Sequence, residues 1–114
     1  MSTIEYSVIM LPNEDIYKIL TTDTYDNWFE NLKNIKDRSR IADRIDRIKE
    51  GNLGDAKSVG GGIFELKFHF GSGYRIYFIK QDKTIIILLC GGNKKTQNKD
   101  IKRAKEIASE VQNG

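Results

Sequence analysis

The sequence predicts a single domain of the α/β (α+β) class. Two segments with helical spacing of apolar residues occupy the first half of the chain, and a pair of alternating strand patterns follows in the second half. An apolar strand and a further helical segment come after them. The 114 residues are enough to bury one core without disulfides or metals. We therefore expect a helical hairpin, a sheet of about four strands and a C-terminal helix.

The first predicted strand covers residues 16–21, which are rich in β-branched and aromatic side chains. Residues 1–16 form an N-terminal extension, whose apolar part is either a short extra strand or a loose arm. A helix is predicted to begin at an N-cap, Asp23, and its large side chains share one stripe, at Tyr25, Trp28, Phe29 and Leu32. The stripe favours core packing, with an aromatic docking site as the alternative.

A second helix is predicted over residues 37–50, with Gly51 closing it. Its isoleucines share one side, and charged residues of both signs occupy the rest of its surface. That pattern is typical of a solvated face and indicates no binding site. The polar segment 52–62 ends in three glycines but lacks the spacing of a phosphate-binding P-loop. We expect it to be a flexible lead into the next strand.

Residues 64–78 predict a β-hairpin around which the rest of the chain is organised. Apolar residues alternate with polar ones on both sides of a turn at residues 71–73, where glycine supplies positive φ values. One face of the hairpin is therefore expected in the core and the other in solvent. A three-residue turn would pair Phe70 with Tyr74. The solvent-facing side would then carry His69 opposite Arg75, Lys67 opposite Tyr77, and Glu65 opposite Ile79.

The basic residues on this predicted face suggest an anion-binding site. Histidine, lysine and arginine at neighbouring cross-strand positions repel one another unless an anion lies between them, and the simplest such anion is a phosphate. An ordinary solvated sheet face carries the same residue types, so a purely structural face is the alternative. Histidine is the residue type whose unperturbed pKa lies near neutrality, so His69 is either a proton shuttle or a bystander.

The strand predicted at residues 84–90 is apolar throughout, which favours burial on both faces near the middle of the sheet. Cys90, the single cysteine, is expected to be a buried thiol. The link that follows places Lys94 and Lys95 beside the start of the last helix, where free N–H groups also favour anions. The apolar residues of that helix recur at helical spacing, at Ile101, Ala104, Ala108 and Val111.

The net charge of +3 is distributed unevenly along the chain. Residues 1–56 hold 8 basic against 11 acidic side chains, whereas residues 57–114 hold 11 against 5. A basic second half suggests a polyanionic partner, although such asymmetry is also common in small domains. The single cysteine and the lack of a leader or a membrane-length apolar run favour a cytoplasmic protein without membrane contact. We expect no cofactor and no metal.

Several separated motifs together resemble the RelE/ParE superfamily of toxin–antitoxin toxins. More narrowly, they resemble its HigB-like branch, the phage-derived addiction module killer proteins. The matching segments follow the family's order, at residues 51–57, 65–67, 73–77, 88–94 and 96–101. They place a toxin domain at residues 17–114, after the extension. The resemblance implies a RelE-like fold with two N-terminal helices packed on a mainly antiparallel, curved sheet.

The resemblance also implies an activity, partners and site residues. Active members are ribosome-dependent endoribonucleases (mRNA interferases), so it implies RNA binding, mRNA cleavage and translation inhibition. The implied partners are mRNA, the ribosome and a cognate antitoxin, expected to be a helix-turn-helix protein. The catalytic candidates are Lys67, Arg75, Lys94 and His69. The substrate-binding candidates are Glu65, Tyr77, Lys95 and Gln97.

Attack of a ribose 2′-OH on the neighbouring phosphate needs a proton acceptor, a proton donor and positive charge at the transition state. Arg75 and Lys94 suit the charge role. Related RNases often use a tyrosine in the C-terminal segment, whereas no aromatic residue follows Phe78 here and Asp100 stands near that place. The alternatives are a ParE-like inhibitor that blocks DNA gyrase without cutting RNA, and a nucleic-acid-binding module without catalysis.

Overall fold

A five-stranded sheet forms the middle layer of the protein and carries helices on both faces. The structure, a computed structural model, describes residues 16–113. Its strands are β1 (Lys18–Thr21), β2 (Ala56–Gly60), β3 (Ile63–Lys67), β4 (Arg75–Gln81) and β5 (Ile85–Gly92). Its helices are α1 (Asp23–Glu30), α2 (Ile35–Lys49) and α3 (Gln97–Asn113), with a 3₁₀ turn at Lys94–Thr96. The predicted mixed class and C-terminal helix are confirmed. The proposed extension lies, apart from its last residue, outside the described part of the chain.

The spatial order of the strands is β1-β5-β4-β3-β2. The β2–β3, β3–β4 and β4–β5 pairs are antiparallel, and β1 pairs in parallel with β5. The expected mainly antiparallel sheet is therefore confirmed, with five strands rather than four. The parallel pair joins the beginning of the described chain to its last strand.

Strand β2 is the element that the sequence pattern did not reveal. It occupies part of the segment expected to be a flexible lead, and it lies at the sheet edge with mostly exposed residues. An edge strand with one small and one branched apolar residue has no clear alternation, which explains the wrong prediction. Gly60, Gly61 and Gly62 have φ values of 93°, 64° and 80° and form the turn into β3. That conformation strains any other residue type.

The register of the central hairpin differs from the expected one by two residues. Glu65 lies opposite Tyr77 and Lys67 opposite Arg75. The ladder ends early because the Phe68 amide donates to the Tyr74 carbonyl over 3.0 Å, leaving a loop of five residues, 69–73, rather than three. A shift of two residues leaves each side chain on its predicted face, since the strand period is two. The cross-strand neighbours, however, are different.

Helices α1 and α2 cover one face of the sheet. Side chains of both helices and of three strands form a common core there, with Tyr25, Ile41, Ile48, Leu66, Phe68, Ile76, Phe78, Ile86 and Leu88 buried. Trp28, Phe29 and Leu32 pack against this core, so the aromatic stripe is core as predicted. Helix α1 is capped by Thr22 rather than Asp23: the Thr22 hydroxyl accepts from the Tyr25 amide over 3.1 Å. Helix α2 begins two residues earlier than predicted, with Asn34 as its N-cap.

Helix α3 covers the opposite face, which was expected to face solvent. The core on this side contains Ile63, Tyr77, Ile79, Ile87, Leu89 and Cys90 from the strands, packed with Ala104 and Ala108 from α3. The two alanines let the helix lie close to the sheet. Glu65 and Tyr77 are therefore fully buried and Arg75 is only 6% exposed, so the prediction of a solvent-facing side is wrong. The predicted burial of Cys90 and of both faces of β5 is confirmed.

The last two residues of β5 allow both helical layers to approach the sheet closely. A Cβ atom at Gly91 would overlap the Trp28 ring, and one at Gly92 would overlap the Asp100 carboxylate. Trp28 belongs to α1 and Asp100 to α3, so the contacts come from opposite faces. Neither helix could dock as it does with a larger residue at these positions. Across residues 16–113, the structure holds no helix with the length and apolar content needed to cross a membrane.

Candidate active site

Basic side chains from three separate elements meet around one surface depression, which we call the basic depression. It has a volume of about 480 Å³. Its lining residues are Lys67, Phe68, His69, Phe70, Gly71, Ser72, Gly73, Arg75 and Lys94. The four predicted catalytic residues are thus brought together.

The elements that supply these groups end at the same place. Lys67 is the last residue of β3, Arg75 is the first residue of β4, and Lys94 opens the 3₁₀ turn after β5. Gly73 makes the close approach possible: its φ is +75°, and a Cβ there would lie 3.3 Å from that of Lys94. The Asn93 side chain accepts from the Lys95 and Thr96 amides, which holds the turn that carries Lys94.

Arg75 is the buried cation of the depression. Its Nη1 donates to the Gly73 carbonyl over 2.9 Å. Its Nε lies 3.8 Å from Glu65 Oε1, an ion pair in which neither atom has a hydrogen-bond partner. The guanidinium is therefore held at the rim by the loop and from behind by a carboxylate.

Glu65 is the centre of a buried polar network behind the depression. Its Oε2 accepts from the Tyr77 hydroxyl over 3.1 Å and from Gln97 Nε2 over 2.7 Å. Burial and the neighbouring Glu65 raise the pKa of Tyr77, so this hydroxyl stays protonated and keeps donating. Glu65, Tyr77 and Gln97, three of the predicted substrate-binding residues, lie together in this network and are absent from the lining of the depression. Glu65 pairs with Arg75, while Tyr77 and Gln97 hold the Glu65 carboxylate in position.

His69 is exposed at the rim and has a partner that the sequence analysis missed. Its Nε2 lies 2.6 Å from Asp55 Oδ2, with the two side chains 70% and 53% exposed. The hydrogen bond from His69 lowers the pKa of Asp55. Asp55 precedes β2, and no spacing rule links positions 55 and 69. The β2–β3 pairing, in which the Lys67 amide donates to the Asp55 carbonyl, brings them together.

A second unpredicted contact supports the loop of the depression from the α2 side. The Tyr74 hydroxyl donates to Asp37 Oδ2 over 2.8 Å. Burial raises the pKa of Tyr74, and this hydrogen bond raises it further. Asp37 was expected only as the start of the second helix. The contact ties the first turn of α2 to the residue that precedes β4.

The candidate Lys95 and the nearby Asp100 both lie away from the depression. Lys95 is exposed on the 3₁₀ turn and does not line it. Asp100 is 8% exposed and accepts a very short hydrogen bond from the Thr96 hydroxyl. Asp100 therefore packs against Gly92 and does not line the depression.

The charges of the depression are only partly balanced by neighbouring carboxylates. Arg75 has Glu65, and His69 has Asp55. Within residues 16–113, Lys67 and Lys94 form no ion pair. The same part of the chain has no group of His, Cys, Asp and Glu side chains arranged to hold a metal ion. Among the residues that the structure describes, Lys67 and Lys94 are thus the lining lysines without an ion pair, and they flank Arg75.

A second depression adjoins the first on the α2 side, and we call it the α2 groove. Its volume is about 430 Å³, and it is lined by Arg40, Asp43, Arg44, Arg47, Phe68, His69 and Phe70. The sequence pattern indicated no binding site on α2. Phe68 and Phe70 lie beneath the guanidinium groups of Arg44 and Arg40. The apolar spacing of a helix cannot predict such contacts with a distant loop.

Comparison with known proteins gives both a family and a fold. The model of the family described as "Phage derived protein Gp49-like (DUF891)" matches residues 27–112. An uncharacterized protein of Haemophilus influenzae is 51% identical over 94 residues, which are 82% of this chain and 95% of that protein. A structure of an arginine-to-alanine double mutant of the E. coli toxin RelE in the free state is similar, with a TM-score of 0.60 and 17% identity. That match covers 77% of this chain and 97% of the RelE chain. The protein thus has a RelE-like fold, and by sequence it belongs to the Gp49-like family of phage-derived proteins.

Proposed function

We propose that this protein is the toxin of a type II toxin–antitoxin module and cleaves mRNA on the ribosome. The observation that carries the proposal is the convergence of Lys67, Arg75, Lys94 and His69 on one depression. The similarity to the RelE toxin and the Gp49-like membership support it. Within the superfamily we assign the chain to the HigB-like branch.

The geometry suits the binding of a phosphodiester. Arg75 is held by the Gly73 carbonyl and by Glu65, so its guanidinium is oriented before RNA arrives. Lys67 and Lys94 have no ion pair among residues 16–113, and they provide charge for the oxygens of the transition state. Preorganised charge at a developing dianion is typically the largest single contribution to such reactions.

The proton transfers fall to His69 in this proposal. In the first step the 2′-oxygen attacks phosphorus, its proton passes to a base, and the 5′-oxygen leaves with a proton from an acid. The products are a 2′,3′-cyclic phosphate and a 5′-hydroxyl. Asp55 holds one imidazole nitrogen of His69, which leaves the other available to the substrate. Because His69 is exposed at the rim, its imidazole can reach a bound RNA strand.

The proposed partners follow from the same charges. An antitoxin that covers the depression must present carboxylates to Lys67 and Lys94, because buried cations without partners are costly. We expect a helix-turn-helix antitoxin from a neighbouring gene, and action in the cytoplasm. Expression of the chain alone should therefore stop growth, and co-expression of the antitoxin should restore it.

Primer extension on cellular mRNA after induction tests the nuclease proposal. The parent should produce discrete cuts within translated codons, and Lys94→Ala should reduce them by about 100-fold. Lys102→Ala removes the same charge from an exposed site on α3 and should cut like the parent. A growth arrest with intact mRNA and a DNA-damage response would refute the nuclease and favour a gyrase inhibitor.

The role of His69 needs a separate variant. His69→Gln should greatly slow cleavage and leave ribosome binding intact, because glutamine can hydrogen-bond but cannot carry a proton at neutral pH. Co-sedimentation with ribosomes measures binding, and primer extension measures cleavage. Cleavage at the parental rate would make His69 a bystander.

A further inference from the structure

The α2 groove continues the basic depression across a shared wall. Phe68, His69 and Phe70 line both depressions. A strand lying over His69 would therefore have its ends in two cavities, each large enough for part of a nucleotide. The proposed cleavage reaction uses only one of them.

Aromatic and guanidinium groups form layers in the groove. The Arg40 guanidinium carbon lies 3.9 Å from the centre of the Phe70 ring, and that of Arg44 lies 5.0 Å from the centre of the Phe68 ring. Arg40 is exposed, so the outer face of its guanidinium is accessible. Planar guanidinium groups stack on nucleobases as readily as on aromatic rings.

The groove has an excess of positive charge. Arg40, Arg44 and Arg47 line it against one lining carboxylate, Asp43, and Asp55 lies at its edge, bonded to His69. Two further acids of α2 already have partners, since Asp46 pairs with Lys49 over 3.5 Å and Asp37 accepts from the Tyr74 hydroxyl. The Nη2 atom of Arg44 is buried without a hydrogen-bond partner, while its Nη1 donates to the Lys67 carbonyl over 3.2 Å. Arg44 therefore fixes the loop, and the exposed arginines on either side of it remain for a ligand.

We propose that the α2 groove is a second RNA subsite, which holds nucleotides next to the cleaved bond. A base stacks on the outer face of Arg40, and a phosphate binds at Arg47. The inference rests on the proposed function, since it takes single-stranded RNA as the ligand of the basic depression. Stacking surfaces with interleaved cations are the usual means of binding a single strand without reading its sequence. Continuity with the depression through His69 favours RNA over an acidic protein segment.

Fluorescence anisotropy with 2′-O-methyl RNA, which cannot be cleaved, tests the subsite. The probes are a trinucleotide and an RNA of about nine nucleotides, within the range that single-strand-binding surfaces cover. The parent should prefer the longer probe. Arg40→Ala combined with Arg47→Ala should weaken the longer probe by about tenfold and flatten its salt slope by about 0.7, the value for one phosphate. Binding of the trinucleotide should stay unchanged.

Arg103→Ala combined with Lys102→Ala is the control, because it removes two charges from exposed positions on α3. Equal effects of the two double variants would overturn the subsite, as would equal weakening of both probes. Failure of the parent to prefer the longer probe, or loss of antitoxin binding alone in the α2 variant, would also overturn it. The assay does not depend on cleavage. A protein that shows the expected pattern but makes no cuts in mRNA would refute the nuclease and leave the subsite standing.

Discussion

Replacing Arg75 with alanine should remove a phosphate-binding charge and also the counter-ion of a buried carboxylate. Arg75 Nε and Glu65 Oε1 are 3.8 Å apart, and the side chains are 7% and 0% exposed. Two unit charges at that distance attract by about 4 kcal/mol at an effective dielectric constant of ~20. Breaking a buried pair costs about 3–5 kcal/mol, because the other charge is left uncompensated. Glu65 keeps its hydrogen bonds from Tyr77 and Gln97, so we expect a loss near the lower end of that range.

A double-mutant cycle separates the two roles of Arg75. Urea unfolding gives the free energy of unfolding for Arg75→Ala, Glu65→Gln and the combined variant. A neutral amide at position 65 no longer needs a cation, so the combined variant should lie within about 1 kcal/mol of Glu65→Gln alone. Its toxicity should nevertheless stay lost, since no guanidinium faces the phosphate.

Two results would refute this reasoning. An Arg75→Ala protein with the parental urea midpoint would show that the buried pair contributes nothing to stability. A combined variant as toxic as the parent would show that Arg75 acts only on the fold. The sequence alone suggested an exposed Arg75 with little effect on stability, so the stability of this variant also tests the burial of the strand beneath α3.

Three further predictions concern the core, the rim and the single thiol. Phe68→Ala should lower the free energy of unfolding, measured with urea, by about 3–5 kcal/mol, because Phe68 is 2% exposed. His69→Ala at the neighbouring position should change stability little, and equal losses in the two variants would contradict this prediction. His69→Ala should raise the pKa of Asp55 toward its ordinary value in a carbon NMR titration, since the imidazole hydrogen bond lowers it. The lowered pKa also fixes the sign of the effect on stability. In the parent the Asp55 carboxylate favours folding above its unfolded pKa, and this contribution is lost as pH falls through the lower folded value. An unshifted titration of the variant would exclude the contact between His69 and Asp55. Burial raises the pKa of the Cys90 thiol to about 12, so iodoacetamide at pH ~8 should alkylate it only in urea, and rapid reaction of the native protein would be inconsistent with its burial.

The elements with strong apolar periodicity were predictable from the sequence. The α1 stripe, the α2 isoleucines and the continuous apolar run of β5 each fill a core position that their spacing implies. Strand β2 was not predictable, because an edge strand buries too little to need alternation. Nor was the burial of the hairpin's polar face, since an alternating hairpin has the same pattern whether a helix covers its polar side or not. Here that cover is α3, whose alanines carry no signal of where the helix docks.

The candidate site also has features that the sequence predicted and features that it did not. The motifs identified Lys67, His69, Arg75 and Lys94 as candidates. These residues line one depression, because they lie at or near the ends of neighbouring elements. The fine geometry depended on a register that loop length sets, and the actual loop is two residues longer than the glycines suggested. Partners from distant segments, such as Asp55, become neighbours only through the strand pairing. Local patterns therefore found the charges of the site and Glu65 behind Arg75, but not Asp55 beside His69.

The two glycines at the end of β5 bear on how a mutational scan of this protein should be interpreted. Any side chain at Gly91 or Gly92 collides with Trp28 or Asp100, so most substitutions there should lower the amount of folded protein. In a screen scored by cell survival, such variants would be indistinguishable from variants at Lys94, two residues further along. Scoring soluble protein in parallel would separate them. Substitutions that permit survival while the protein still accumulates identify residues needed for activity. Substitutions that permit survival because the protein no longer accumulates identify positions where the helices pack on the sheet.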